Sequence, residues 1–587
     1  MHSTSADSSR VNHIRPRDAS APPEARVVAL IVPLVLALLF LGALSYGPHF
    51  RLPFLADDYV FLDRVIHSNF AGLWSRTNTD FGWYRPWSRE LHFWCIERIA
   101  GLEPAAFRVV GLLLWTASLL LYAALLARVV PRRAAIFATL GASAQALWGT
   151  PIVWISGSQD LWMLLFSMLA LLAVVSGRNR LALLPAALAL LSKETAGVLP
   201  ILAFGAEVFV RRTPAREALR RTAPLILLVV AWVVLHPTLL DRLFGPEYSG
   251  RVEVATRPRW PVVLTKSILS LASLERLPAP EGLDLARARA IGASALVIAL
   301  VAALAARDRT PAPGEARAAS FGILWTLAGE PPAFLPSIGW HAYYACLGTL
   351  GALLLLGLGL ARLPRAAPIA LALAVFLRGA NAATPASDWG SVWYHERAGR
   401  ILADIRKELL YRHPVLPPYS RVYFGHVPNN IGLVAGQSPA LRVWYRDSTL
   451  RAGFYSYYRA RDPRAPMGRD YFFVFDSVRV LTEVVAGPED IPEARALNPN
   501  WGRDHENLAA LLIGAGEARP AAVEYEKLSE AYPTRPDFAL YAAAAFVACG
   551  DSARARPLRS AAAHAYGDSA AAALIGDLLA SLPRAAP

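Results

Sequence analysis

Long uncharged apolar blocks fill the first two-thirds of this chain and constrain its fold more than any other feature. Val27–Tyr46 carries no charge over about twenty positions, enough for a helix of about 30 Å that crosses the hydrocarbon of a bilayer. A soluble protein can bury one or two such helices, but not seven. The blocks therefore predict a polytopic α-helical membrane protein. The other blocks are Val109–Ala127, Ala134–Ile155, Leu161–Gly177, Thr222–Leu240, Ala290–Ala306 and Tyr343–Ala361.

The formal net charge of +14 arises largely from arginines in short loops between the blocks. This is the positive-inside pattern of membrane proteins, so we do not expect nucleic acid as a partner. The pattern places the tail 1–26 in the cytoplasm. The first block is longer than the apolar part of a signal peptide and lacks a clear cleavage site, so we expect a retained anchor.

Alternating basic loops predict about eleven crossings within a membrane core of residues 27–380. Two apolar arms, Leu181–Ser192 and Thr195–Ala206, reach only about 18 Å each. Their tip, residues 192–194, is expected to stop inside the bilayer, approached from the outer side. The last apolar stretch, Ala366–Leu377, is short and contains Pro368. If it crosses, as we expect, the C-terminal region is extracytoplasmic.

The composition changes after the last apolar stretch. Within 381–500, Arg421–Phe424 and Tyr471–Phe475 have the pattern of short buried strands, which predicts a small extracytoplasmic α/β segment. Residues 501–587 are Ala-rich and helical in pattern. The motif at Gly516 recurs at Gly550, thirty-four residues later, which is the tetratricopeptide period. Tetratricopeptide-like repeats, able to bind a protein partner, are one interpretation, and generic helical hairpins are the other.

The first outer loop, between the first two blocks, contains two adjacent carboxylates, Asp57 and Asp58. Near a membrane surface they suit a general base or a metal ligand, and an Asp also caps a helix well. The same loop contains Arg85 within a Trp-Tyr-Arg-Pro-Trp run. Arginine among aromatic residues suits either an interfacial belt or a surface that stacks a sugar and binds phosphate.

Further polar residues are expected at the same outer side. Asp160 begins the fourth crossing, where helix capping is the simpler explanation. Lys193 and Glu194 form the tip of the short hairpin, and ionisable groups at such depth indicate function or a structural ion pair. Glu330 and the segment containing His341 and Tyr343 converge there too. Together they predict a polar cavity at the outer leaflet, open to a lipid-borne substrate.

The order of these motifs resembles the C-type glycosyltransferase superfamily, which includes protein O-mannosyltransferases and glycosyltransferase family 39. The C-terminal repeats add a likeness to transmembrane-and-tetratricopeptide O-mannosyltransferases. The residues that carry the resemblance to the membrane core are Asp57–Tyr59 (DDY), Tyr84–Pro86 (YRP), Trp154–Asp160 (WISGSQD), Leu191–Pro200 (LSKETAGVLP) and Leu335–Ala345 (LPSIGWHAYYA).

The resemblance implies transfer of a sugar from a polyprenyl-phosphate donor to a hydroxyl of a glycan, lipid or protein acceptor, at the outer face of the plasma (inner) membrane. Asp58 or Asp57 would act as base, with inversion at the anomeric carbon. Some relatives use a divalent metal ion, which leaves a metal site between Asp58 and Asp160 open. The donor phosphate and substrate would be bound by Arg85, Lys193, Glu194, Asp160, His341 and Tyr343.

Two other functions remain compatible with the residues. A transporter or flippase for a lipid-linked sugar would also place charges near the bilayer, although no internal repeat of the membrane half is visible. A non-catalytic scaffold would use the repeats to bind proteins. The retained carboxylates and the hairpin tip favour the transferase.

Overall fold

The computed structural model is mainly helical, with one small sheet. It describes residues 23–240, 260–276, 285–307, 315–330, 341–386, 390–425, 438–454, 468–475, 481–483 and 501–581. Parts of two sequence-based predictions lie outside these residues: most of the cytoplasmic tail 1–26, and residues 335–340 of the motif LPSIGWHAYYA.

The apolar blocks form helices, and further helices lie in the outer loop and the short hairpin. They are α1 (Pro23–Tyr46), α2 (Asp57–Ile66), α3 (His92–Ala100), α4 (Pro104–Leu126), α5 (Arg132–Ser143), α6 (Gly149–Val153), α7 (Ser158–Val175), α8 (Leu183–Leu190), α9 (Leu199–Gly205), α10 (Ala215–Leu235), α11 (Trp260–Ser270), α12 (Leu285–Ala305), α13 (Glu315–Gly329), α14 (Cys346–Arg362) and α15 (Ala367–Ala383). Among the described residues, six helices are long and apolar enough to span a membrane. The bent pair α5 and α6 would make a seventh.

These spans make the chain a multi-pass membrane protein, as the sequence predicts. The count of eleven crossings stays a prediction, because several apolar helices are shorter than a full span. We call the end of the bundle that carries Tyr46, Pro104 and Ser158 the outer end, after the predicted topology.

Glycine allows α14 to pack closely against two neighbouring helices. A Cβ atom on Gly351 would lie 2.5 Å from the backbone nitrogen of Thr326 on α13, and one on Gly357 would lie 2.5 Å from the carbonyl oxygen of Ala134 on α5. Nothing larger fits at either contact. The Trp325 indole donates to the carbonyl of Leu347 at 2.8 Å and fixes the α13–α14 pair.

The outer loop between α1 and α4 folds as a compact unit of α2, a π-helical turn at Trp87–Leu91, and α3. Arg89 is its buried centre: the guanidinium donates to the carbonyls of Asn78 at 3.0 Å and Trp83 at 2.8 Å. It also lies 5.0 Å from the ring of Phe61 on α2. These contacts hold the loop against α2, which carries the two adjacent aspartates.

The predicted strands are confirmed, and they belong to a four-stranded sheet of order β2-β1-β3-β4. β1 pairs parallel with β2 and β3, and β3 pairs antiparallel with β4. The elements are α16 (Val392–Arg412), β1 (Arg421–Gly425), α17 (Pro439–Tyr445), β2 (Arg451–Phe454), β3 (Asp470–Phe475) and β4 (Leu481–Glu483).

The sheet and the outer loop share one hydrophobic core. Phe54 and Phe93 of the loop belong to the same buried cluster as Ile401 of α16, Val422 of β1 and Phe473 of β3. The α/β segment, expected to begin at residue 381, is therefore packed directly on the loop that carries the candidate site.

Residues 501–581 form five helices, each in contact with the next. Gly516 and Gly550 both take a positive φ, 79° and 78°, in the turns that precede the second and fourth helices. Helical pairs of the predicted period are present, and their assignment as tetratricopeptide repeats stays a prediction. The helices are α18 (Trp501–Gly514), α19 (Ala518–Ala531), α20 (Pro536–Ala548), α21 (Ser552–Tyr566) and α22 (Asp568–Ser581).

Candidate functional site

Asp58 is a fully buried carboxylate in the first turn of α2. Oδ2 accepts from the backbone N–H of Leu55 at 2.9 Å, and Oδ1 accepts from the N–H and the hydroxyl of Ser156 at 2.8 and 2.5 Å. These bonds close around Ala56, whose φ of 54° is costly for a residue with a Cβ atom. Burial raises the pKa of Asp58 to about 6, against the lowering effect of the Ser156 hydrogen bond.

Asp57 has a different environment, although it is the next residue. Its side chain is half-buried, and among the described residues no group donates a hydrogen bond to its carboxylate. Burial, with a smaller contribution from the charge of Asp58, raises the pKa of Asp57 to about 7 against the lowering effect of Arg89 and Arg85. Asp57 is thus a partly accessible carboxylate close to two arginines.

Arg85 connects the outer loop to the tip of the short hairpin. Its guanidinium binds Glu194 in bidentate fashion, with Nε to Oε2 at 2.9 Å and Nη2 to Oε1 at 2.6 Å. Nη1 donates to Gln159 Oε1 at 2.6 Å, and Gln159 in turn donates to the carbonyl of Ser156 at 2.8 Å. The network therefore ends at Ser156, which is the residue that holds Asp58.

Lys193 lies beside Glu194 and pairs with Asp160 at the start of α7. Nζ lies 2.6 Å from Oδ1 of Asp160, and both side chains are buried. The ammonium also lies 5.4 Å from the ring of Tyr343 and 5.5 Å from the ring of Tyr344. Aromatic faces and one carboxylate therefore stabilise a cation that would otherwise be costly at this depth.

Two contacts fix the depth of the hairpin tip. The Ser88 hydroxyl donates to the carbonyl of Ser192 at 2.7 Å, and the backbone N–H of Trp87 donates to that of Leu191 at 3.3 Å. The tip is therefore held by the π-helical turn of the outer loop. The placement of Lys193 and Glu194 depends on both elements.

The structure brings the eight predicted site residues into one region at the outer end. Asp57 and Asp58 head α2, Arg85 and Glu194 pair across two loops, and Lys193 pairs with Asp160. His341 stacks on Tyr343 with ring centroids 5.8 Å apart, and Tyr343 faces Lys193. Glu330 directly follows α13, and its pKa is raised to about 7 by burial.

A metal ion shared by Asp58 and Asp160 does not fit this arrangement. The Asp58 carboxylate is directed at Leu55 and Ser156, and Asp160 is directed at Lys193. Within the described ranges, no group of three or more His, Cys, Asp or Glu residues is placed to hold a metal ion. These two side chains do not form a joint ligand set.

No individual role was predicted for three residues of this region, Ser156, Tyr344 and Arg108. Ser156 holds Asp58, and Tyr344 joins Tyr343 around Lys193. Arg108, buried at the start of α4, donates to the carbonyls of Val153 at 2.8 Å and Pro53 at 3.0 Å, and so joins the entry of the outer loop to the turn before α7. A lone arginine at the edge of an apolar block was the available signal for Arg108.

Comparison with known proteins gives a limited result. No family model matches the sequence, and no curated protein matches it. ArnT from Cupriavidus metallidurans bound to undecaprenyl phosphate is 15% identical, with 78% of this chain and 94% of that chain covered, at a TM-score of 0.39. The apo state of the same protein is 17% identical, with 73% of this chain and 86% of that chain covered, at a TM-score of 0.37. The arabinosyltransferase EmbB from Mycobacterium smegmatis is 17% identical, with 66% of this chain and 44% of that chain covered, at a TM-score of 0.27.

Proposed function

We propose that this chain is a membrane glycosyltransferase that moves a sugar from a polyprenyl-phosphate donor to an acceptor hydroxyl at the outer face of the membrane. The proposal is supported by the motifs that the sequence shares with C-type glycosyltransferases. It is also supported by the polar cluster at the outer end, in which a carboxylate lies among cations at the membrane surface.

The single observation that carries the proposal is the contrast between Asp57 and Asp58. The carboxylate of Asp58 accepts three hydrogen bonds from groups within the protein. Asp57 accepts none from the described residues, is partly accessible, and has a pKa of about 7. A carboxylate that titrates near neutral pH and keeps its lone pairs free suits a general base. We therefore assign the base to Asp57 and a positioning role to Asp58, the other carboxylate that the resemblance offers as base.

The proposed reaction is one displacement. Asp57 takes the proton of the acceptor hydroxyl while the oxygen of that hydroxyl attacks the anomeric carbon. The bond between that carbon and the phosphate oxygen breaks, and polyprenyl phosphate leaves with the electron pair. Attack opposite the leaving group inverts the anomeric centre. Phosphate is a good leaving group, so the chemistry needs no strong acid.

Negative charge grows on the leaving phosphate, and cations near Asp57 are suited to stabilise it. Arg85 uses three of its five N–H groups in the bonds to Glu194 and Gln159 and can offer the others to phosphate. Lys193 has three donors, of which one is directed at Asp160. We propose that Glu194 and Asp160 hold these cations in place before the donor binds, and that His341 and Tyr343 shape the sugar-binding wall.

The test is sugar transfer from defined polyprenyl-phosphate sugars by the purified protein in a bilayer. We expect Asp57→Asn to reduce kcat by at least about a hundredfold, as for the loss of a general base, with an unchanged melting temperature or a higher one. Asp58→Asn puts an amide against backbone donors, so we expect it to lower both activity and stability. Asp447→Asn, in the loop after α17, is the matched control with unchanged activity.

Full activity of Asp57→Asn would show that the base lies elsewhere, with Glu194 as the next candidate. If the wild-type protein transfers sugar from no polyprenyl-phosphate donor, the proposed function is wrong, and transport or scaffolding has to be tested.

A further inference from the structure

A second polar region lies at the outer end, in a cavity of about 450 Å³ between α1, α12, α15 and α16. It shares no lining residue with the cluster around Asp57. Leu44, Ile291 and Val375 give it apolar walls from three membrane helices. Polar and charged side chains also line it, so the cavity is amphipathic.

Arg378 of α15 is the main charge of this cavity. Its side chain is only 5% exposed, its guanidinium lies 5.0 Å from the ring of Tyr46, and Nη1 donates a long bond of 3.4 Å to the carbonyl of Ser143. Within the part of the chain that the structure describes, no carboxylate pairs with Arg378. An unpaired buried charge is expensive, which points to an anion from outside the chain.

Two residues that line the same cavity, Tyr46 and Ser294, carry neutral donors. Their hydroxyl groups are buried, and neither has a hydrogen-bond partner among the described residues. Buried polar groups are rarely left without partners, so each one needs an explanation. A ligand with several acceptor oxygens would satisfy both hydroxyls together with the Arg378 guanidinium.

The rim of the cavity does not neutralise Arg378. Glu396 is the acidic lining residue, and it is already bound to His49 and to Arg287, each at 2.7 Å. Arg400 adds another positive charge to the lining. The local balance is therefore positive, which favours an anionic ligand.

We infer that this cavity binds the anionic, phosphate-bearing head group of a membrane lipid, with Arg378 as its counter-ion and Tyr46 and Ser294 as donors. A lipid fits better than a soluble anion because α1 and α12 are both long enough to span the membrane and give the cavity apolar walls. Those walls can take the first methylene groups of a lipid chain, whose burial stabilises the bound lipid. Phospholipids and polyprenyl phosphates share this chemistry. The inference does not depend on the proposed transferase activity.

Native mass spectrometry of the purified full-length chain tests the inference by titration with phosphatidylglycerol, undecaprenyl phosphate, phosphatidylcholine and inorganic phosphate. We expect one site with at least about tenfold preference for one or both anionic lipids over phosphatidylcholine, and weak competition from inorganic phosphate. The lipid that binds more tightly identifies the source. Arg378→Met should abolish the preference, and Arg378→Lys should retain most of it.

Ala290→Phe fills the cavity without a change of charge and should remove the site even if Arg378→Met fails to fold. Arg365→Met, an exposed arginine at the other end of α15, is the matched control and should bind as wild type does. Equal binding of anionic and zwitterionic lipids by the wild type would overturn the inference. So would an unchanged anionic preference in both Arg378→Met and Ala290→Phe.

Discussion

Asp57 and Asp58 are adjacent and chemically identical, yet the fold gives them different chemistry. Backbone and hydroxyl donors surround Asp58, which makes it a structural bracket between α2 and the turn before α7. Asp57 is only half-buried and receives none of those bonds from the described residues. It remains a carboxylate that can accept a proton near neutral pH.

The pH dependence of transfer follows from the pKa of Asp57, which is raised to about 7. A general base acts in its ionised form, so kcat/KM should rise about tenfold per pH unit below that value and level off above it. The measurement is a pH profile of transfer, with the stability of the protein checked at each pH. A flat profile from about pH 5.5 to 8.5 would argue against Asp57 as the base.

The same shift predicts a pH-dependent stability. The pKa of the carboxyl is about 3.8 in the unfolded chain, the ordinary value for an aspartate, and about 7 in the folded protein. The ionised form therefore costs stability increasingly from about pH 4 to 7, and fully above 7. Asp57→Asn should raise the melting temperature at pH 8 by about 2 °C and change it little at pH 4.5. An equal effect at both pH values would contradict the assigned shift.

The sequence predicted a shared membrane face for the candidate site residues, but it did not distinguish what each one does. Asp57, Arg85 and Lys193 could be placed at one membrane face because apolar blocks and basic loops fix the sides of the turns. The division of roles between Asp57 and Asp58 could not be predicted. It depends on donors from Leu55 and Ser156, and one of these lies about a hundred residues away with no periodic signal.

Helix α2 is held from both sides, and its second support comes from the α/β segment. Arg442 of α17 binds Asp63 of α2, with Nε 2.9 Å from both carboxylate oxygens. The Trp444 indole donates to the hydroxyl of Tyr59 at 3.0 Å, and the two rings meet edge to face. The helix that carries Asp57 is therefore positioned by a chain segment almost 400 residues later.

Loss of this support should reduce activity without a loss of the membrane fold. We expect Arg442→Ala to lower kcat about tenfold, because a small displacement of α2 moves Asp57 relative to the acceptor. The exchanged pair Asp63→Arg with Arg442→Asp should recover part of the loss. Arg412→Ala, which removes an exposed pair with Glu408 on α16, is the control with normal activity. Transfer kinetics and melting curves of each variant decide the question.

At the scale of the whole molecule, the outer loop is the element on which the C-terminal parts of the chain pack. The loop packs on the sheet within one hydrophobic core, and the sheet packs on the first C-terminal helix through Tyr423 of β1 with Leu508 and Leu512 of α18. This shared core could not be predicted, since its members are separated by hundreds of residues. Strand patterns predicted the sheet itself, but not where it would dock.

This arrangement requires the C-terminal region to lie on the same side of the membrane as the outer loop. We expect alkaline phosphatase fused after Pro587 to be active, and green fluorescent protein at the same point to be dark in a Sec-exported topology. α15 has seventeen residues, about 25 Å, which suffices for the last crossing with modest adjustment. The opposite pair of reporter signals would show that α15 does not cross.

The short hairpin of α8 and α9 has a consequence for the membrane itself. α8 has eight residues and α9 has seven, and the helical turns at Asn179–Ala182 and Ala206–Val210 extend each arm to only about 18 Å. Leu184 and Ile201 on these helices are exposed at the protein surface. Lipid beside them meets a hydrophobic belt much shorter than the bilayer, and the outer leaflet should thin there to match it. Such local thinning would bring lipid phosphates down to the depth of Lys193. The protein would then change the thickness of the surrounding bilayer so that a lipid phosphate could approach this cation.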